Sequence, residues 1–118
     1  MAVKTGISST ADHVVTVTVQ DDPGPGPQDQ AVTVLIEWNQ DQLSPAGGTG
    51  DPAPSDPPPG LSHWGAMTWS NYTVQSNKSL AFEMSFDCVV PGLHTVNAFV
   101  TNHTDDGDNH NLLVGVEC

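Results

Sequence analysis

The sequence predicts an all-β chain, a single antiparallel sandwich of about seven strands. Three observations predict it. The stretch Leu80 to Val100 carries two alternating apolar runs around one Pro91-Gly92 pair. Other segments repeat the period of two with β-branched and aromatic residues, the signature of strands buried on one face. No segment has the 3.6-residue period of an amphipathic helix, and turn-forming residues separate the alternating runs.

The elements follow in order. Residues 1–12 read as a polar N-terminal arm, either disordered or laid on a partner, ahead of a sandwich domain over 13–118. His13 to Gln20 alternates Val15, Val17 and Val19 against Thr16 and Thr18, a strand. Asp21 to Gln30, DDPGPGPQDQ, is a loop, because repeated Pro and Gly deny it both a ladder and a helix. Ala31 to Asn39 is a second strand, with Val32, Val34, Ile36 and Trp38 as its core face. Residues 40–62 form a long Pro/Gly-rich loop: glycines loosen its first half, and Pro52, Pro54 and Pro57 to Pro59 extend its second. Loops of this length are solvated insertions or functional segments. One or two short strands are expected at Ala66 to Ser70 and Tyr72 to Gln75. Ser79 to Val90, Leu93 to Asn102 and Leu112 to Cys118 complete the set, with a polar loop from His103 to Asn111.

At 118 residues the chain is one domain. Its formal charge is −12, from fourteen acidic residues against Lys4 and Lys78. Nucleic-acid binding needs Lys or Arg against phosphate, so no nucleic-acid partner is expected. Anionic membrane surfaces are disfavoured for the same reason. No apolar run reaches the length of a membrane helix. Met1 to Ala11 lacks the apolar centre of a signal peptide, so the chain is made without one or has lost it.

Cys88 and Cys118 allow one intramolecular bridge. Both fall on the inward parity of their strands, and alternating strand directions bring them to one end of the domain. A bridge there would close a loop of about 30 residues and contribute roughly 3–4 kcal/mol. The other reading is two buried free thiols that pack as small hydrophobes.

The segment Val90-Pro91-Gly92-Leu93-His94-Thr95-Val96-Asn97-Ala98-Phe99-Val100 resembles the corner between strands E and F of immunoglobulin-like (Ig-like) sandwiches. It is most similar to the polycystic-kidney-disease and bacterial Ig-like modules, which read P-G-x-Tyr-x-Val-x-x-x-Val there. Val96 and Val100 match that pattern. His94 stands in place of the tyrosine, and the usual tyrosine-corner hydrogen bond is expected to be lost with it. The resemblance implies a non-catalytic scaffold of adhesion, surface assemblies or viral particles.

Chemistry-bearing motifs are sparse. The loop HTDDGDNHN is oxygen-rich, but it lacks the spacing and closing Glu of a calcium loop, and a polar hairpin tip accounts for it. His103 and His110 are too few for zinc. There is no G-x-S-x-G elbow, and Cys88 is expected mid-strand on the core parity, where a thiol is inert. No metal, cofactor or catalytic residue is expected, and the chain is read as non-enzymatic. Trp64, beside the Pro-rich loop, and Pro57, Pro58 and Pro59 within it are the candidate partner contacts. The three N-x-[ST] sequons at Asn71, Asn77 and Asn102 are read as chance.

These observations lead to an expectation: a structural protein of a virion, a bacteriophage capsid decoration or tail-associated protein that stabilises an assembled lattice. Its partners would be major capsid or tail subunits, and a homo-oligomer is expected because lattices present repeated sites. The alternative is a secreted or cell-surface adhesion module for carbohydrate or protein, or an extracellular filament subunit.

Overall fold

In the computed structural model, residues 2–22, 29–52, 64–105 and 107–118 are described. They form β1 (Ala2–Ser9), β2 (Val14–Asp22), β3 (Gln30–Asn39), β4 (Leu43–Gly48), the two-residue β5 (Asp51–Pro52), β6 (Trp64–Val74), β7 (Ser79–Cys88), β8 (Leu93–Asn102) and β9 (Asn109–Glu117). There is no helix among the described residues. The first sheet has the order β1-β2-β7-β4 and the second β5-β6-β3-β8-β9, with every neighbouring pair antiparallel.

The two sheets pack face to face over the residues that alternation selects. Val15, Val17 and Val19 of β2 are fully buried, as are Val32, Val34 and Ile36 of β3 and Val96 and Ala98 of β8. Phe82, Met84 and Phe86 of β7 lie beside the β2 valines in the first sheet and join the same core as the β3 and β8 residues of the second. Aromatic contacts bridge the layers: Trp38 meets Phe86 edge-on at 5.3 Å, and Trp69 meets Phe82 at 5.7 Å. Gly65 lies opposite Trp38 in the β3–β6 ladder, and a Cβ there would come within 2.6 Å of the indole. Only glycine lets that ring lie flat against the neighbouring strand.

Three expectations change. Residues 2–9 are an edge strand, not an arm: β1 pairs with β2 from Ala2↔Asp22 to Ser9↔Val15. Only Val3 and Ile7 mark it as apolar, too few to reveal a period of two. The first half of the 40–62 loop is also ordered. Leu43–Gly48 pairs with β7 and Asp51–Pro52 with β6, so the chain crosses between the sheets there. Pro45 is tolerated in β4 because β4 is an edge strand with a register shift beside the proline. Finally, where one or two short strands are expected, β6 is a single strand of 11 residues, and its register shift lies opposite Val32 and Val34.

One open side of the sandwich is stitched shut between β1 and β9, where Ser9 Oγ donates to the Gly115 carbonyl at 2.7 Å. Such contacts shield edge strands from pairing with other chains.

Candidate functional site

The end of the sandwich where β7 stops and β8 starts brings together His13, Cys88 and Cys118. The β1–β2 hairpin turns through Thr10 to His13, with the His13 amide bonded to the Thr10 carbonyl at 3.0 Å. His13 then takes a left-handed conformation (φ 62°), the usual way for a short hairpin loop to rejoin a strand. Its carbonyl accepts from the Phe86 amide at 3.0 Å, which pins the residue against the end of β7. Its ring nitrogens lie 3.6 and 3.8 Å from Cys88 Sγ.

Cys88 and Cys118 are joined in a disulfide, with Cα atoms 5.8 Å apart. It ties β7 of the first sheet to the residue after β9 of the second. Cys88 is not mid-strand in the core, as the alternation suggested. It is the last residue of β7 and exposed, although Leu43 opposite it in the β4–β7 ladder is fully buried. Among the described residues, His13, Cys88 and Cys118 are the one group of three metal-ligating side chains whose ligand atoms all lie within 4.8 Å of one another.

The adjoining corner corrects a second expectation. His94 is buried, and its Nε2 lies 2.8 Å from the Val90 carbonyl four residues upstream. An imidazole N–H donates where a tyrosine hydroxyl would, so the corner hydrogen bond is kept. Gly92, at φ 128°, makes the turn that residues with a Cβ avoid. It exchanges backbone hydrogen bonds with Cys118 at 2.8 and 3.2 Å, which docks the chain terminus onto the corner.

The opposite end is polar, and sequence reasoning missed it. Asp21 of β2, Gln30 of β3 and Asn102 of β8 are buried. Gln30 Nε2 donates to Asp21 Oδ1 at 2.6 Å and to the Ala2 carbonyl at 3.0 Å. Asn102 Nδ2 donates to Gln30 Oε1 at 2.8 Å and to Asp108 Oδ2 at 3.0 Å. Asp108 also accepts from the Val3 amide at 2.9 Å, and His110 Nε2 sits 2.8 Å from its other oxygen. Burial alone would raise the Asp108 pKa. The hydrogen bonds from Asn102 and Val3, with the His110 contact, outweigh it and hold the carboxyl below its ordinary value. Toward the end of β3, by contrast, burial raises the Glu37 carboxyl.

These contacts give the HTDDGDNHN loop a structural task. Asp108 braces β1 and β8, and His103 Nε2 sits 2.6 Å from Thr33 Oγ1, so His103 and His110 serve different partners. Asn102, the acceptor of one sequon, is only 2 % exposed, whereas Asn71 and Asn77 are exposed.

Trp64 opens β6, although its side chain lies outside the described set, as do Pro57, Pro58 and Pro59. Beside β4 and β7 an open groove of about 580 Å³ is lined by Gly47, Gly48, Ala81, Glu83 and Ser85 among others. Among the described residues that line it, Glu83 is the single carboxylate. No protein-family model matches the chain, and no curated protein matches it in sequence.

Proposed function

We propose that the chain is a non-enzymatic Ig-like module of a virus particle, a bacteriophage capsid decoration or tail-associated protein that binds and stabilises an assembled lattice. The strand order supports the Ig-like part. On this reading β1, β2 and β7 would correspond to A, B and E in one sheet, and β3, β8 and β9 to C, F and G in the other. The His94 corner bond adds to this. This chain's own departures are that β4, beside β7 where D lies beside E, precedes β5 and β6 in the chain, and that a disulfide joins β7 to Cys118.

The observation that carries the assembly role is a set of exposed apolar side chains on a strongly acidic chain. Leu93 and Leu113 are 72 % and 69 % exposed on the outer face of β8 and β9, and Val89 and Val90 are exposed at the adjoining corner. Exposed apolar residues grouped in this way mark protein–protein contacts. The net charge of −12 favours a basic partner surface and disfavours nucleic acid. The disulfide favours life outside a reducing cytosol, as on a virion or cell surface.

The test is co-sedimentation with particles assembled from the genome that encodes the chain, together with mass spectrometry of those particles. Wild type is expected on the particles and Leu93→Asp/Leu113→Asp in the supernatant. Particles that neither contain nor bind the protein would sink the reading. The disulfide equally suits a secreted or cell-surface adhesion module, for which glycan-array binding without particle binding is the expected result.

A further inference from the structure

We propose that, once its disulfide is reduced, this protein binds a thiophilic divalent cation, zinc above all, through His13, Cys88 and Cys118. The argument starts from distance. A tetrahedral zinc with Zn–S near 2.3 Å and Zn–N near 2.05 Å sets its nitrogen and sulfur ligands about 3.6 Å apart. His13 Nε2 and Nδ1 stand 3.6 and 3.8 Å from Cys88 Sγ, so the distance is right and a turn of the imidazole about its Cβ–Cγ bond would aim one nitrogen at the ion. The two sulfurs would part to about 3.8 Å in such a site. With the Cα atoms 5.8 Å apart, side-chain rotation alone accommodates that, and no backbone need move.

The second observation is that His13 is held in place. Its left-handed backbone is a conformation few residues with a side chain adopt, and its amide and carbonyl are both hydrogen-bonded. Cys88 is exposed and the other two are partly buried, so reductant and metal can both reach the site. Three protein ligands leave one tetrahedral position for water or an incoming group.

The chemistry balances in two steps. A phosphine with water cleaves the Sγ–Sγ bond: phosphorus is oxidised to the phosphine oxide, and each sulfur becomes a thiol. The cation then binds both thiolates and the neutral imidazole, two protons pass to solvent, and the metal keeps its oxidation state. The coordinate link replaces the covalent one, so β7 and the chain terminus stay tied together in a reducing compartment as well as an oxidising one.

The experiment titrates the phosphine-reduced full chain with Co²⁺ and then Zn²⁺, followed by absorbance and calorimetry. One ion per chain is expected, with a thiolate-to-cobalt charge-transfer band that Zn²⁺ abolishes, while the oxidised protein takes up none. His13→Asn retains a residue that tolerates positive φ and should weaken binding by about tenfold or more. Its disulfide form should unfold close to wild type, which separates loss of a ligand from loss of the fold. Zn²⁺ should also shift the His13 ring resonances of the reduced wild type. The proposal is overturned if the reduced chain binds no ion, if oxidised and reduced chains bind alike, or if His13 neither shifts nor matters.

Discussion

At one end of the sandwich a covalent bond joins β7 to the residue after β9. At the other, side chains from β2, β3, β8 and the loop before β9 meet in a hydrogen-bonded cluster. Both ends solve one problem. Two sheets packed on a core are open where their strands stop, and there the alternation that buries valines no longer applies. The disulfide end is closed by few parts with local signals: two cysteines, a Pro-Gly corner and one imidazole. The polar end is closed by convergence of Asp21, Gln30, Asn102 and Asp108, each satisfying a neighbour that burial would otherwise leave bare. A cross-link acts by restricting the unfolded chain, whereas a buried network acts by avoiding unmet donors and acceptors.

The largest effect that separates the two ends is expected from Cys88→Ser/Cys118→Ser. With the cysteines 30 residues apart, it should lose about 3.5 kcal/mol in urea unfolding, and reductant should do the same to wild type in metal-free buffer. Asn102→Ala should follow closely, at about 3 kcal/mol. It strips partners from the Gln30 side chain and from the Thr104 and Asp105 amides, and its loss should be indifferent to reductant. The ends share no partner, so the combined variant should lose the sum to within about 0.5 kcal/mol. A larger discrepancy would mean that the two closures are coupled through the sheets.

A smaller loss, about 1 kcal/mol, is expected from His94→Phe, which fills the corner without donating to Val90. His94→Tyr should recover most of it, and thermal melts of the three proteins would check the ranking. The subtlest difference is in pH. The Asp108 carboxyl is held below its ordinary value of 3.8 in the folded chain, so its contribution is present above that pH. It is lost as pH falls through the lower folded value, and Asp108→Asn should flatten this part of the profile. Glu37 runs the other way: its raised carboxyl favours folding below 4.5, and that benefit disappears as pH rises through the folded value. Unfolding midpoints across acid pH for Asp108→Asn and Glu37→Gln should therefore move in opposite senses.

Much of the fold was legible because a strand between a core and solvent must alternate. Val15, Val17 and Val19, the Val32 to Trp38 face and the run from Phe82 to Phe86 all point inward as their spacing demands. Strand β1 escaped because pairing through the backbone with β2 does not require an apolar sequence. Strand β4 escaped because Pro45, Gly47 and Gly48 disguise an edge that needs few ladder bonds. The corner at His94 was legible as a turn, but not its hydrogen bond, since the motif names tyrosine and the physics needs only a donor within reach of Val90. At the candidate site, the two cysteines stand out in sequence and His13 does not. It lies 75 residues from Cys88, and only the hairpin turn brings it there.

By itself, then, the amino-acid order determined which side chains of most strands face inward, where the Pro91-Gly92 corner falls and which two cysteines can meet, because those follow from local periodicity and chain direction. Tertiary structure alone decided which strands share a sheet, that residues 2–9 close an edge, that Asp21, Gln30 and Asn102 are buried together, and that His13 faces the sulfurs. Those outcomes depend on groups distant in sequence satisfying one another, and no local pattern encodes which distant partner a donor, an acceptor or a bare sheet edge will find.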